Sequence, residues 1–211
     1  MKKKENIKKT YSQKEQDLWV VKKLRAKKNG FFVEAGAGDG IILSNTYLLE
    51  KKFDWNGICI EPYQPNFVKL EKNRSCKCVC ALLDDKVRKQ LYTPGAQPGN
   101  TLPLGYKGGI VSKDSDNKNP EGPMKSLTMN TVTLEHVLDE QSAPKIIDYF
   151  SLDVEGLELQ ILKDFPFNRY KFRILHIERP GQELCEILKN NGYIIDGGNP
   201  YDTYFTNFNL S

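Results

Sequence analysis

A short apolar run that stops at closely spaced glycines constrains this chain most. Residues 31–35 read Phe-Phe-Val-Glu-Ala, and residues 36–40 read Gly-Ala-Gly-Asp-Gly. A brief apolar run bounded by glycines is typical of a buried parallel strand. Glycine lets the backbone turn tightly and lets a ligand approach it closely. The sequence therefore predicts a strand, a turn suited to a ligand, and a helix after the turn.

Apolar strand patterns and helical patterns continue to alternate along the chain. Helices are predicted at about 12–28 (with Ser12 as N-cap), 44–52, 65–73, 132–138, 157–165 and 183–190, and strands at 31–35, 57–61, 76–82, 146–153 and 172–178. Segments 193–195 and 203–205 flank a turn-rich stretch, which predicts an antiparallel hairpin. We expect an α/β fold with a mostly parallel central sheet, helices on both faces and a C-terminal antiparallel hairpin. One domain would cover residues 11–211, after a basic tail at 1–10.

Residues 93–127 interrupt the alternation. They are rich in Gly, Pro, Ser, Asn and Asp and lack periodicity. A loop this long in a compact domain is usually a lid, a binding loop or disordered. Two tyrosines and three asparagines in or beside it suit an uncharged polar ring: Tyr92, Tyr106, Asn100, Asn117 and Asn119. We expect a variable lid over a substrate, with a disordered surface loop as the alternative.

Composition argues against several classes of protein. No apolar run approaches the length of a membrane span, and no apolar segment follows the basic residues 1–9, so neither a span nor a secretory signal is expected. The net charge is +4, and no aromatic residues interleave with the N-terminal lysines. A solvated tail is therefore favoured over a nucleic-acid surface. An odd count of 5 cysteines indicates a reducing, cytoplasmic setting.

Two acidic residues frame the glycine turn. Glu34 precedes the first glycine by two positions, and Glu61 ends the next predicted strand. A carboxylate at Glu61 can accept hydrogen bonds from both hydroxyls of a ribose, as in NAD sites. Beside the turn, Glu34 would repel the pyrophosphate of NAD and attract the ammonium and sulfonium of S-adenosylmethionine. These residues favour S-adenosylmethionine, with a nicotinamide-dependent oxidoreductase and a turn without ligand as the alternatives.

Polar residues also lie at the ends of two later strands. Asp153 ends the fourth predicted strand and Glu155 follows it, and His176 and Glu178 share one face of the fifth. Because ligands of parallel sheets bind at the carboxyl ends of the strands, each of the four is a candidate general base for an acceptor hydroxyl. Two or three of the acids could instead hold a divalent cation, so metal binding stays open. Acids that favour a helix N-terminus, and a satisfied core histidine, are the structural alternatives.

An ordered set of motifs resembles the FkbM family of S-adenosylmethionine-dependent O-methyltransferases. The matching segments are Ser12-Gln13, Gln16-Asp17, 32–40, Ser44-Asn45-Thr46, 55–62, Asn73-Arg74, 131–134 and 153–156. The resemblance covers about residues 11–180, and Glu34 stands where the family often has Asp. It implies a Rossmann-like class I methyltransferase fold.

The resemblance also implies a cofactor site. Gln13 and Asp17 would close over S-adenosylmethionine, Asn45 would line its site and Ala81 would neighbour the adenine. Together with the turn, the expected cofactor-binding residues are Gln13, Asp17, Glu34, Gly36, Ala37, Gly38, Asp39, Asn45, Glu61, Pro62, Ala81 and Asp153. The implied reaction is methyl transfer to a hydroxyl of a sugar in a glycan or glycoconjugate. The alternative acceptors are a hydroxyl of another small molecule and RNA, and the non-enzymatic alternative is a nucleic-acid-binding module. Nothing in the sequence indicates an oligomeric state.

Overall fold

The structure is a computed structural model that describes residues 9–95, 103, 106–118 and 125–210. Residues 1–8, Asn100 and Asn119 lie outside the described residues. The helices are α1 (Gln16–Lys23), α2 (Tyr47–Phe53), α3 (Gln64–Asn73), α4 (Leu134–Glu140), α5 (Glu158–Leu162) and α6 (Gln182–Asn190). The strands are β1 (Phe31–Ala35), β2 (Asn56–Ile60), β3 (Lys77–Val79), β4 (Leu82–Leu83), β5 (Lys89–Thr93), β6 (Gly109–Ile110), β7 (Leu127–Val132), β8 (Ile146–Leu152), β9 (Lys171–Glu178), β10 (Ile194–Gly198) and β11 (Asp202–Thr206).

The main sheet has seven strands in the order β10-β11-β9-β8-β1-β2-β3. Strands β1, β2, β3, β8 and β9 are parallel, whereas β11 pairs antiparallel with β9 and β10 pairs antiparallel with β11. Phe32 and Val33 in the central strand are fully buried on opposite faces. The predicted parallel sheet with a closing hairpin is confirmed.

Helices cover both faces of this sheet. On one face Leu138 of α4 and Leu162 of α5 join a cluster with Val33, and on the other Leu49 of α2 and Leu70 of α3 join a cluster with Phe32. Burying a leucine side chain stabilises a fold by about 1.5–3 kcal/mol, so two such clusters hold the helices against the sheet. This three-layer arrangement is a Rossmann-like class I methyltransferase fold, as predicted. None of the described helices is long and apolar enough to span a bilayer.

A second, smaller sheet corrects the prediction of a loop over 93–127. Its four strands lie in the order β4-β7-β5-β6. Strand β6 falls inside the supposed loop, β5 ends at Thr93 and β7 begins at Leu127. The sequence conceals these strands because β4 and β6 are only two residues long each and five of the six residues of β7 are half-exposed or exposed. Burial of Tyr92 and Ile110 at 0% and 2% exposure anchors the sheet.

Several predicted boundaries also differ from the structure, including the first helix, which ends at Lys23 and not at residue 28, and the helix predicted over 157–165, which spans Glu158–Leu162. The strand predicted over 76–82 divides into β3 and β4, which belong to different sheets. Val132, predicted as helical, ends β7, and Thr133 Oγ1 accepts a hydrogen bond from the His136 backbone as the N-cap of α4. Helix α1 begins at Gln16 because the chain at Ser12 instead forms a bridge with Leu43.

The strand order locates the site. Strand β1 lies between β2 and β8, so the chain continues in opposite directions on its two sides. Ligands of open α/β sheets bind at such a switch point, beyond the carboxyl ends of the strands. The glycine turn follows β1 and Asp153 follows β8, so both lie at this point.

Candidate active site

A cleft lies between the carboxyl ends of the main-sheet strands and the small sheet. It encloses about 910 Å³ of space, part of it open to solvent. The glycine turn, Glu61 and Asp153 line it from the main sheet, while Tyr92, Tyr106 and Ile110 line it from the other side. An enclosed space with an apolar wall and a few converging polar groups is the usual form of a small-molecule site.

Two glycines of the turn lie where a side chain would not fit. Gly36 has a φ of +82°, and a Cβ there would lie 2.0 Å from the Asp153 carbonyl oxygen. Gly38 has a φ of +55°, and a Cβ there would lie 2.9 Å from the Tyr106 ring. Only glycine tolerates both the left-handed backbone and these contacts. The turn therefore holds the ends of β1 and β8 together and lets a ligand approach its backbone.

Glu34 is buried and its carboxylate is already occupied by donors. It accepts hydrogen bonds from the Asn45 backbone N–H (2.6 Å), Thr46 Oγ1 (2.6 Å) and Ser44 Oγ (3.0 Å), and it pairs with the Arg74 guanidinium (3.4 Å). The carboxylate thus ties residues 44–46 to β1. It lines the cleft, but its direct hydrogen bonds go to the protein.

Arg74 is the centre of this buried network. Its side chain is completely buried and also pairs with Glu50 at 2.7 Å. It donates to the Gly40 carbonyl (3.2 Å) and to Thr46 Oγ1 (2.8 Å), so it ties the end of the glycine turn to the segment before α2. Burial opposes ionisation of Glu50, but the charge of Arg74 and hydrogen bonds from its neighbours outweigh it and lower the pKa of Glu50 to about 2. Sequence reasoning gave Arg74 no role, because its partners are far from it in the chain.

Glu61 directly follows β2. One of its carboxylate oxygens faces the glycine turn, and the other faces the backbone two residues further along the chain. Oε2 accepts from the Gly38 backbone N–H at 2.9 Å, and Oε1 accepts from the Tyr63 backbone N–H at 2.8 Å. Burial raises the pKa of Glu61 to about 8, although these two hydrogen bonds act in the opposite direction. Each carboxylate oxygen keeps a second lone pair for a ligand hydroxyl.

A second acidic group surrounds the ends of β8 and β9. The Asp153 side chain is exposed to the cleft, but the surrounding protein separates it from bulk water. This desolvation, and then the negative charges of Glu178 and Glu155, raise the pKa of Asp153 well above its usual range. Burial and the charges of Glu178 and Asp116 raise the pKa of Glu155 to about 7. Glu155 therefore changes protonation near neutral pH, which is the property of a general base.

Arg179 is the counter-ion of this group. Its guanidinium contacts Asp116, lies 3.1 Å from Glu178 and lies 3.9 Å from Glu155. Carboxylate oxygens of these three acids lie within 4.8 Å of one another, a spacing that a cation could bridge. In this structure the arginine supplies the positive charge.

His176 lies apart from the cleft, on the face of the sheet that α1 covers. It is 2% exposed, its Nδ1 is 2.9 Å from the Tyr149 hydroxyl, and its ring stacks on Tyr204 at 3.8 Å. Burial lowers its pKa to about 3. These contacts place His176 in the core, as the structural alternative expected, but its Nε2 is buried without a hydrogen-bond partner among the described residues.

The other predicted residues divide into two groups. Those that line the cleft are Glu34, Gly36, Ala37, Gly38, Asn45, Glu61, Pro62, Ala81, Asp153 and Glu155. Those outside its lining are Gln13, Asp17, Asp39, His176 and Glu178. Asp39 Oδ1 accepts from the Ile41 and Ile42 backbones at 2.9 Å and so shapes the turn. Asp17 is buried and holds the segment before α1 through Thr10 and Tyr11.

Tyr106 and Tyr92 were predicted for the acceptor but lie in the wall beside the turn. The Tyr106 hydroxyl accepts from the Asp39 backbone at 3.2 Å. The Tyr92 hydroxyl is buried without a hydrogen-bond partner among the described residues. Apolar wall residues such as Leu82, Ile110 and Leu157 were missed, since no motif distinguishes them from core residues.

Comparison with known families identifies the family of the chain. Residues 34–195 match the model of the methyltransferase FkbM domain. The chain belongs to the FkbM methyltransferase family. The matched segment contains the glycine turn, Glu61, the small sheet and the acidic group, so the resemblance inferred from the motifs is confirmed.

Other comparisons add context for this FkbM methyltransferase. No curated protein sequence matches the chain. Similar solved structures include a precorrin-6y C5,15-methyltransferase from Geobacter metallireducens GS-15 (12% identity, 90% of this chain and 87% of that chain, TM-score 0.48). They also include a human methyltransferase 10 domain containing protein (14% identity, 90% and 77%, TM-score 0.46). A third is an S-adenosylmethionine-dependent methyltransferase from Aquifex aeolicus (12% identity, 90% and 87%, TM-score 0.40). The family follows from the sequence match, and the fold follows from the strand order.

Proposed function

We propose that this FkbM family member is an S-adenosylmethionine-dependent O-methyltransferase whose cleft holds both cofactor and acceptor. The observation that carries the proposal is the arrangement of the cleft. The glycine turn and Glu61 lie at one end, and the carboxylates of Asp153 and Glu155 lie beside the carboxyl end of β8.

The cleft residues fit the cofactor. Glu61 offers a free lone pair on each oxygen to the ribose hydroxyls. Asn45 Oδ1 is buried without a partner among the described residues, and it suits the cofactor ammonium as an acceptor. Ala81 and Leu83 give an apolar surface for adenine. A buried polar atom without a partner is uncommon in proteins, so a ligand donor accounts for Asn45.

The chemistry required of the protein is alignment and proton removal. The cofactor supplies a methyl group on a sulfonium, which is already a good leaving group. Asp153 and Glu155 are placed to hold the acceptor hydroxyl and accept its proton. Glu155, with a pKa of about 7, is partly ionised at neutral pH, as a general base should be. His176, buried away from the cleft, and Glu178, paired with Arg179, are left in supporting roles.

The charge at the cleft favours an uncharged polar acceptor. Asp116, Glu155 and Glu178 outnumber Arg179, so an RNA phosphate backbone would be repelled. Carboxylates accept hydrogen bonds from sugar hydroxyls, and the half-buried ring of Tyr106 offers an aromatic face at the cleft wall. We infer that the acceptor is a sugar hydroxyl in a glycan or glycoconjugate.

Calorimetry and an acceptor screen test the proposal. The protein should bind S-adenosylmethionine and S-adenosylhomocysteine in the micromolar range and NAD far more weakly, and tighter binding of NAD would refute the cofactor assignment. Radiolabelled methyl transfer should then be screened on deoxysugars, short oligosaccharides, phenols and RNA. Transfer to RNA or phenols alone would refute the sugar acceptor but keep the methyltransferase. Loss of transfer in chelator, restored by a divalent ion, would assign a metal to the acidic group.

A further inference from the structure

Two cysteines touch each other beside Glu34, and the proposed chemistry uses neither of them. Cys59 lies on β2, Cys76 directly precedes β3, and their sulfurs are 3.6 Å apart. Both are free thiols. Cys59 is completely buried, whereas Cys76 is half-buried and can be reached from solvent. The pair therefore combines an accessible sulfur with a protected partner at contact distance.

The two thiols differ in how readily they ionise. The hydrogen-bonding contact with Cys59 and the positive charge of Arg74 lower the pKa of Cys76 below its ordinary value, although burial acts in the opposite direction. Burial raises the pKa of Cys59, so that thiol keeps its hydrogen. The thiolate is the form of cysteine that attacks an oxidant. A redox-sensitive cysteine is typically an accessible thiolate beside a second cysteine, and this pair has that arrangement.

We propose that Cys59 and Cys76 form a modification site at which hydrogen peroxide converts the two thiols into a disulfide. The Cys76 thiolate attacks one peroxide oxygen, the O–O bond breaks, and Cys76 becomes a sulfenic acid while the other oxygen leaves as hydroxide. The Cys59 sulfur then attacks the Cys76 sulfur, and the sulfenic hydroxyl leaves as water with the hydrogen of Cys59. The sulfur pair is oxidised by two electrons and the peroxide is reduced by two. A small-molecule dithiol reverses the modification by thiol–disulfide exchange.

The disulfide acts on the cleft through Glu34. Cys59 is the register partner of Glu34 in the parallel pair of β2 with β1, and its sulfur lies 3.8 Å from Glu34 Oε2. A disulfide holds its sulfurs at about 2.05 Å, so closing the gap of 3.6 Å displaces the Cys59 sulfur, the segment that joins Arg74 to Cys76, or both.

Either displacement disturbs the pair of Glu34 with Arg74, and Glu34 holds the backbone N–H of Asn45 in the lining of the cleft. Protein interiors are close-packed and transmit such shifts. We therefore expect the oxidised protein to bind the cofactor more weakly than the reduced protein. This consequence rests on the proposed function, whereas formation of the disulfide does not.

Tryptic mapping tests the site, because the sequence separates the cysteines. Cleavage after lysine and arginine places Cys59 in residues 53–69, Cys76 in residues 75–77, and the next two cysteines together in residues 78–86. The protein is treated with stoichiometric hydrogen peroxide, and its remaining thiols are alkylated before digestion. Mass spectrometry should find residues 53–69 joined to residues 75–77 with the loss of two hydrogens, and dithiothreitol should release both peptides. A link from 75–77 to 78–86, or no linked peptide, would overturn the inference.

Cysteine variants show which sulfurs are required. Cys59→Ser should abolish the linked peptide, and if that variant does not fold, Cys76→Ser removes the other sulfur and should do the same. Cys185→Ser is the matched control, since Cys185 is half-buried like Cys76 but contacts the Pro180 carbonyl and no other cysteine among the described residues. The linked peptide should form in Cys185→Ser as in the wild type, and its loss there would overturn the inference.

Calorimetry tests the consequence for the cleft. Affinity of the wild type for S-adenosylhomocysteine should fall about threefold or more on oxidation, the effect of one weakened hydrogen bond, and should recover on reduction. The same peroxide treatment should leave the affinity of Cys76→Ser unchanged, which separates the disulfide from other oxidative damage. Unchanged affinity in wild-type protein with the mapped disulfide would overturn the link to the cleft. Failure of the reduced wild type to bind S-adenosylhomocysteine would instead overturn the proposed function, and the mapped disulfide would stand.

Discussion

The two acidic regions of the cleft differ in how their charges are compensated. At the glycine turn, Glu34 accepts hydrogen bonds from three neighbouring residues and pairs with the completely buried Arg74. At the ends of β8 and β9, Asp153 lies among other carboxylates, and its pKa is raised by burial and by Glu178 and Glu155. The first region is arranged to hold a fixed shape. The second is arranged to change protonation, which is the division of labour that a cofactor site and a catalytic site require.

This difference implies different responses to mutation. Removing a charge from the compensated region should damage the fold, because its partner is then buried alone. Removing a carboxylate from the second region, where acids outnumber Arg179, should relieve repulsion and spare the fold, at the expense of the reaction.

The largest effect is expected from Asp153→Asn on turnover. The change keeps the shape of the side chain but removes its basicity, and a general base typically contributes about 10²–10⁴-fold to rate. Affinity for S-adenosylhomocysteine, measured by calorimetry, should change much less. Glu158→Gln is the control, because Glu158 is 5% exposed and bonded to the Val154 backbone but lies outside the cleft lining. Near-normal turnover in Asp153→Asn would move the catalytic role to Glu155.

The pH profile gives an independent reading of this region. If Glu155 must be ionised, kcat/KM should rise with pH through about 7, the pKa of that group in the free protein. In Glu155→Gln this rise should move or disappear. A profile that falls over the same range in the wild type would contradict a carboxylate base.

A large loss of stability is expected from Arg74→Met. The substitution leaves Glu34 and Glu50 buried without their cation, and breaking a buried ion pair by removing one partner costs about 3–5 kcal/mol. Urea unfolding monitored by tryptophan fluorescence measures the free energy of unfolding. Arg169→Met is the matched control, since Arg169 pairs with Glu135 and Asp139 at the surface, where the loss should be small. Similar losses in the two variants would mean that Arg74 has no special structural role.

Sequence reasoning succeeded where the signal was local. The glycine turn, Glu61 and Asp153 each lie directly at the end of an apolar strand, so a short window reveals both the strand and the polar residue. The partners of these residues are distant in sequence. Arg74 meets Glu34 across 40 positions, and Arg179 meets Asp116 across 63. Such pairs leave no periodic pattern in the sequence, because the two residues meet only in the folded structure.

The small sheet was missed for a related physical reason. Two of its strands have two residues each, too few for an alternating pattern to be distinguished from chance. Its position was also unexpected. Tyr106 belongs to the region predicted as an acceptor lid but lies against Gly38, so it forms part of the cleft wall beside the glycine turn, where the cofactor is proposed to bind. Shortening residues 93–127 should therefore weaken cofactor binding as well as acceptor binding.

The smallest effect concerns Glu61, which lines the cleft beside the glycine turn and is compensated by two backbone N–H groups. In Glu61→Gln, affinity for S-adenosylhomocysteine measured above pH 8, where Glu61 with its pKa of about 8 is ionised, should fall by about 1.5–3 kcal/mol, the usual value of hydrogen bonds to a charged group. Calorimetry measures the loss. Unchanged affinity in the folded variant would show that Glu61 does not hold the ribose.

The same variant separates charge compensation from ligand binding through the pH dependence of stability. In the folded protein the pKa of Glu61 is raised from 4.5 to about 8, so between these values the folded state binds more protons than the unfolded state. Stability should therefore fall as pH rises through this window, by up to about 1.4 kcal/mol per pH unit for this one group. Glu61→Gln should remove that contribution and retain the smaller slope from Glu155 and Glu158, whose pKa values are raised to about 7. Urea unfolding of both proteins at pH 5, 6, 7 and 8 should give curves that diverge as pH rises, with the wild type losing stability more steeply, and parallel curves would show that folding does not raise the pKa of Glu61.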